Sequence, residues 1–272
     1  MLDAADPGER GLFERLARNY ASRASVSMYE LDASRMTDPI AKGKVLAELE
    51  ARDLVVAVGD GATEFTAREL EDVPVYFVDA TMVDGRRLQS ASVTGLFSYS
   101  VDALLDAAKA LRLSNIGLVF TPGYEPVASW IRGGAVLRGM NVVEKRIDAP
   151  RELPPAVRGL LDKARAVWVV GDPLLARGAG YDLIREQTLS AGVPMIMNGE
   201  WGVRRGALLG HRSDPDDQAA AAGHRIDEAL RGAEPPQRLH PAPRGGETLY
   251  NSVLFRKWRL EPPAGARWTP LP

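Results

Sequence analysis

The sequence contains no cysteine. Disulfides, thiolate metal sites and cysteine nucleophiles are therefore excluded, and the redox compartment is left open. Histidine is nearly as scarce, with His211, His224 and His240 the only three. None lies within four residues of another, so the helical two-histidine zinc motif is absent and no metal site is expected. No apolar run approaches the ~18 residues of a membrane-spanning helix. Met1 to Arg10 has neither a basic n-region nor an apolar h-region, so no secretory signal is expected within it. An excess of one charge is also missing. Lys+Arg number 34 against 36 Asp+Glu, a net charge of -2 that gives no basic field for nucleic acid or anionic lipid. What remains is 272 residues, 45% hydrophobic and 26% charged, the balance of a globular chain with one large domain or two smaller ones.

Hydrophobic periodicity then sets out an alternating order. Gly8 to Tyr20 places Leu12, Phe13, Leu16 and Ala17 on one helical face. Val26 to Leu31 reads as a short strand, and Ile40 to Ala51 as a helix with Val45, Leu46 and Leu49 inward. Leu54 to Val58 is a continuous apolar run ended by Gly59-Asp60-Gly61, the pattern of a strand covered on both faces in a parallel sheet. Thr63 to Leu70 is the next helix and Val73 to Val78 the next strand. The order repeats with helix 104–111, strand 116–120, helix 126–138, strand 142–147, helix 157–164, strand 167–170, helix 181–189 and strand 193–197. Asp216 to Leu230 is an alanine-rich helix. Residues 233–246 read as a surface loop crossing between lobes, 248–250 as a strand, 253–260 as a helix and 262–272 as an extended arm. Trp130, Trp168 and Trp258 fall within helix or strand runs and are expected in the core.

An internal duplication runs through this order. Val55–Asp60 (VVAVGD) matches Val167–Asp172 (VWVVGD), and each is followed by a helix and a strand led by Val-Pro. The expectation is α/β: two Rossmann-like lobes with parallel sheets. The first spans 1–96 with a return helix at about 212–232. The second spans 97–211 with a C-terminal segment at about 245–272.

Gly59-Asp60-Gly61 after a buried strand, with Asp79 at the end of the next, mimics a dinucleotide fingerprint. Glu64 stands where the third glycine belongs, and its carboxylate would repel pyrophosphate and obstruct helix packing. A nucleotide-dependent enzyme of the NAD type is thus the alternative reading rather than the leading one. No Gly-x-Ser-x-Gly elbow is present, and Ser98 and Ser100 have no histidine in the same turn system. His211 is read as a surface or capping residue that could also touch a ligand. Asp214, Asp216 and Asp217 read as helix N-terminal charge.

The turns at strand ends are where α/β lobes hold small polar ligands. The turns at Gly59–Thr63 and Asp79–Met82 would form one wall. Those at Thr121–Glu125, Gly171–Leu174 and Asn198–Trp201 would form the other. Asp172, Asp79 and Glu200 suit a ligand ammonium; Thr63, Ser98 and backbone N–H groups suit a carboxylate. Tyr124 and Trp201 could stack on a ligand. Each of these residues could equally be a turn former or helix cap.

The order of motifs from Ser92 to Leu209 resembles the substrate-binding proteins of ABC transporters, in the group that includes tryptophan- and tyrosine-binding proteins. The resemblance rests on Val93-Thr94-Gly95, read as entering the second lobe, and on the strand and turn from Ile116 to Glu125. It also rests on Arg204-Arg205-Gly206-Ala207-Leu208, on Leu230 to Pro235, and on Leu249-Tyr250-Asn251. It implies a periplasmic-binding-protein-like (type I) fold whose hinged lobes close on a ligand, a non-catalytic role without a cofactor, an extracytoplasmic location and an ABC permease as partner. It also implies a small amino acid or related carboxylate as ligand and a monomeric chain. The family's signal peptide and first strand, with its ligand-touching turn, are not visible here. Pro173-Leu174-Leu175 stands where the family carries polar residues. The expected ligand-binding set is Asp60, Thr63, Asp79, Thr81 and Ser98 in the first lobe and Tyr124, Glu125, Asp172, Glu200 and Trp201 in the second. A lobe pair serving only as a sensor or scaffold is the remaining alternative.

Overall fold

The computed structural model describes residues 2–3, 7–20, 27, 30–31, 38–90, 92–231, 238–264 and 267–272. Along the chain run β1 (Leu2–Asp3), α1 (Pro7–Tyr20), β2 (Glu30–Leu31), α2 (Pro39–Glu50), β3 (Val55–Val58), α3 (Asp60–Glu69), β4 (Val75–Ala80) and, after a helical turn Gly85–Leu88, β5 (Val93–Phe97). Then come α4 (Val101–Ala110), β6 (Asn115–Phe120), α5 (Glu125–Leu137), β7 (Asn141–Arg146), α6 (Leu153–Leu161) and β8 (Ala166–Val169). After a helical turn Pro173–Ala176 follow α7 (Gly178–Ala191), β9 (Met195–Met197), α8 (Gly199–Arg204), β10 (Leu209–Arg212) and α9 (Pro215–Leu230). The chain ends with β11 (Leu239–His240), β12 (Glu247–Asn251), α10 (Ser252–Trp258) and β13 (Trp268–Leu271).

These elements fall into two compact units. The first holds 1–83, 87–98 and 214–243; the second holds 84–86, 99–213 and 244–272. The first is built on a parallel sheet in the order β11-β5-β4-β3-β1-β2. The second carries the order β13-β12-β10-β9-β8-β6-β7, parallel except where β10 meets β12. This is the α/β order with parallel sheets that the repeated strand–helix pattern implies, and it agrees with the periplasmic-binding-protein-like fold that the family resemblance implies.

Local chemistry explains the elements. Val-rich β3 and β4 are covered on both faces, with Ala57, Val58, Val75, Phe77 and Val78 without solvent exposure. In the first unit Leu12, Phe13, Leu16 and Tyr20 of α1 pack with Val58, Tyr76, Val78 and Leu96 and with Ala219, Ala222 and Ile226 of α9. Alanines on α9 allow that close approach, and the Tyr20 hydroxyl donates to the Gly223 carbonyl at 2.5 Å. Each large side chain so buried contributes about 1.5–3 kcal/mol. Helix starts are capped in sequence-legible fashion: Asp38, Ser100, Asp214 and Asn251 each accept a hydrogen bond from a first-turn amide.

Several expectations are corrected. The strand preceding the first helix is present: Leu2–Asp3 pairs with β2 and, through Leu2, with Val58 of β3. Of the strand expected over 26–31, only Ser27, which lies outside any strand, and Glu30–Leu31 are among the described residues. Val93-Thr94-Gly95 does not lead out of the first unit but opens β5, whose registered neighbours are β4 and β11. The presumed surface loop contains β11, with Leu239 buried, while 232–237 lie outside the described residues. Part of the extended arm is β13, paired with β12. Trp168 is fully buried as expected, but Trp130 and Trp258 are half-buried rather than core.

Candidate functional site

Parallel strands deliver their carboxyl ends to one edge of a sheet, and the residues just beyond them form the candidate site. In the first unit that edge begins with Gly59. Its φ of 85° is a conformation that side chains other than glycine's rarely tolerate, and it turns β3 directly into α3. Asp60 is the first residue of α3, and its Oδ1 accepts from the backbone N–H of Thr81 at 2.6 Å and of Met82 at 2.8 Å. The carboxylate thus fastens the turn after β4 to the turn after β3. It also puts a fixed negative charge at the helix end where the dinucleotide reading needs a pyrophosphate, and like charges repel there.

Thr81 and Ser98 join their hydroxyls at 2.8 Å, linking the ends of β4 and β5. Between them Asp79 adopts a left-handed φ of 60°, uncommon for any residue but glycine. Gln218 reaches this edge from the first turns of α9. Its Nε2 donates to the Phe97 carbonyl at 3.0 Å and lies 3.5 Å from Asp79 Oδ1. Asp60, Asp79, Thr81 and Ser98 are therefore brought to one edge. Thr63 is not. It is fully buried, and its hydroxyl donates back to the Gly59 carbonyl at 2.7 Å, so it has no face for a ligand carboxylate.

The second unit uses its matching residues differently. In the first copy of the duplicated motif the aspartate lies inside a helix; in the second, Asp172 is itself the cap of the turn Pro173–Ala176, and its Oδ1 accepts from Leu174 N–H at 2.8 Å. Its Oδ2 accepts from the Thr121 hydroxyl. Gly85 lies against the same oxygen, so close that a Cβ there would stand 2.7 Å from it. Burial pushes the Asp172 carboxyl above its ordinary range, and the Thr121 and Leu174 hydrogen bonds oppose that only in part. Asp172 is thus a buried clamp, not an open partner for a ligand ammonium.

Tyr124 is also fully buried, and its hydroxyl donates to the Gly171 carbonyl at 2.6 Å; it is a core residue rather than a wall. Glu200 is held by Arg204 through one oxygen and by Arg212 through the other, at 2.5 and 3.1 Å, so its charge is already matched. Glu125 is exposed and pairs with Arg132 at 3.2 Å. Trp201 remains half-exposed, its ring 5.4 Å from that of Tyr181, with the Arg205 guanidinium 4.8 Å from the Trp201 ring. Burial pushes the Tyr181 hydroxyl up to about 12. The predicted second-unit residues are therefore dispersed among caps, core and ion pairs.

His211 is neither a surface nor a capping residue. It is 1% exposed, and its Nδ1 accepts from Ser100 N–H at 3.2 Å. The Ser100 hydroxyl meanwhile caps α4, so the pair is not a nucleophile and base. A cavity of about 310 Å³ in this unit is lined by residues including Ala103, Asp106, Ala107, His211, Arg244 and Trp268; none of the sequence-predicted site residues lines it. Among the described residues no three His, Asp or Glu side chains cluster to hold a metal ion, and no helix is long and apolar enough to cross a membrane.

The residue that sequence reasoning missed is Gln218. Its only signal was a lone long polar side chain opening an alanine run.

Comparison with known proteins gives this geometry its context. Solved structures share the fold. An ABC domain from Streptococcus pneumoniae in complex with L-Trp is 19% identical over 98% of this chain and 97% of that one, with a TM-score of 0.58. A conserved domain protein from Vibrio cholerae O1 biovar El Tor is 17% identical over 98% and 96%, at 0.57. A substrate-binding protein with adhesive properties from Clostridium difficile, in its ligand-free, open form, is 16% identical over 99% and 96%, at 0.52. No curated protein matches. The family model for ABC transporter substrate binding proteins matches residues 18–248, most of the chain. The chain therefore belongs to the ABC transporter substrate-binding protein family.

Proposed function

We propose that this chain binds a small amino acid or related carboxylate at the carboxyl edges of its sheets and delivers it, outside the cytoplasm, to an ABC permease. The observation that carries the reading is the polar edge formed by Asp60, Asp79, Thr81 and Ser98 at the ends of adjacent parallel strands, in a chain of a substrate-binding family. The amino-acid class is supported by the L-Trp bound to the Streptococcus pneumoniae relative. Asp79, Thr81 and Ser98 are the proposed contacts in the first unit. No chemical step is involved. The ligand acts by favouring the arrangement of the chain that binds it best, by as much as its affinities for the alternatives differ.

The test is thermal unfolding of the purified chain with amino acids, short peptides, purines and NAD(H). A ligand at a hundredfold excess over its Kd stabilises by about 2.7 kcal/mol, a rise of roughly 5–10 °C for units of this size. A rise with an amino acid is the expected result. A rise with NAD(H) alone would establish the nucleotide reading instead, and a flat panel would leave only the scaffold reading.

A further inference from the structure

We infer that Gln218 reads the ligand: its side-chain oxygen accepts a hydrogen bond from an amine of the bound molecule, so the ligand class carries a primary amine presented to the first unit. The inference rests on the binding reading above and adds which group of the ligand this unit recognises.

Gln218 is 1% exposed. Its amide cannot be turned over, because Nε2 faces two acceptors, the Phe97 carbonyl at 3.0 Å and Asp79 Oδ1 at 3.5 Å. With the nitrogen so committed, Oε1 is left buried without a donor among the described residues. More than nine in ten buried polar groups in folded proteins are satisfied, and an unsatisfied one destabilises the fold that keeps it. Its inward neighbours Ala219, Ala222 and Ile226 are apolar, and a methionine of similar length would remove the orphan oxygen at the loss of the Nε2 hydrogen bond to the Phe97 carbonyl. An unsatisfied acceptor at the carboxyl edge of a parallel sheet is stability given up where ligands bind.

The surroundings choose the donor. Asp79 stands beside the amide, in a strained left-handed conformation that holds it there. Asp60 lies on the same edge, and Asp214, Asp216 and Asp217 open α9, with Arg15 pairing Asp216. Acceptors and acids together suit a protonated amine and disfavour a carboxylate, which could only meet Oε1 as a second acceptor. The amine is thereby assigned to the first unit and not to Asp172, whose oxygens are already engaged.

The experiment uses the full chain and two independent comparisons. Wild type is titrated calorimetrically with the twenty proteinogenic L-amino acids, and any that binds is compared with its amine-free counterpart, indole-3-propionate in the case of L-tryptophan. The same titrations are run on Gln218→Met, whose thermal midpoint is also recorded without ligand. Expected are a loss of at least tenfold in affinity on removing the amine and a similar loss on Gln218→Met, with the ligand-free midpoint showing that the variant is folded. The two affinity losses should not add, since both remove one hydrogen bond. An amino acid that binds wild type and Gln218→Met equally, or as well without its amine, overturns this inference while leaving the binding reading intact. No binding by any amino acid to wild type defeats both readings.

Discussion

Lowering the pH from 7 to 4.5 should destabilise the second unit through one residue, His211. The imidazole is buried between β10 and the start of α4, accepts from Ser100 N–H through Nδ1 and donates to the Gly245 carbonyl. Protonation would turn Nδ1 into a donor facing another donor and would put a charge where no acid among the described residues pairs it. Burial accordingly moves the imidazole from 6.5 down to about 4. Because the unfolded chain binds the proton more tightly, the stability is fully present above pH 6.5 and is lost as the pH falls from there towards 4. A displacement of that size amounts to about 2.5 kcal/mol lost by pH 4.5, or a fall of roughly 5–10 °C in the midpoint. The assay is calorimetric unfolding from pH 7.5 to 4.5 of wild type and of His211→Asn, whose Oδ1 can still accept from Ser100 but does not titrate. The variant should be less stable at pH 7.5 yet show a flatter pH profile. Parallel profiles, or a His211 imidazole that titrates near 6.5 by NMR, would refute the reasoning.

Two further substitutions test the packing and the clamp. Asp172→Ala removes a helix cap and a hydrogen bond to a carboxylate, and should cost about 2–3 kcal/mol by urea unfolding while leaving ligand affinity within a few-fold; unchanged stability with a tenfold loss of affinity would restore it as a ligand contact. Since burial raises its carboxyl pKa in the folded chain, wild type should gain stability relative to the non-titrating Asp172→Asn as the pH falls through that carboxyl's titration. Gly95→Ala places a Cβ 2.4 Å from both the ring and the carbonyl oxygen of Phe77, which is itself fully buried and packed edge-on to Phe97 at 5.1 Å. The neighbour cannot yield without moving backbone, so the urea midpoint should drop by an amount equivalent to about 3 kcal/mol, with the slope unchanged; an unaltered midpoint would contradict the tight β4–β5 approach.

Which parts of this protein were legible follows from where each signal is stored. Strands buried on both faces, such as β3, β6 and β8, are composed of apolar residues in uninterrupted runs, so they read from the sequence alone. β5, β10, β11 and β13 did not. Val93–Phe97 carries a glycine at its centre because Phe77 leaves no room for a side chain. Leu209–Arg212 carries a glycine and a histidine, β11 is two residues long, and Trp268–Leu271 holds a proline. β5 and β10 lie inside their sheets and β11 and β13 at the edges, and strands so short or so interrupted take their identity from a partner rather than from their own pattern.

The site divides along the same line. The alternating α/β order, the duplicated strand-to-turn motif, the exclusion of thiol chemistry and the turns that stand at strand ends are all written in local composition, because a strand's carboxyl end is a local property. What each side chain at those ends does depends on partners far away in the chain. Asp60 is bound 21 residues away, Asp172 is bound by Thr121, 51 residues earlier, and Gln218 meets a carbonyl 121 residues before it. Hydrogen-bonding capacity is finite, so each distant amide or hydroxyl that a carboxylate accepts from reduces what it can offer a ligand, and an amide oxygen left over keeps its full capacity.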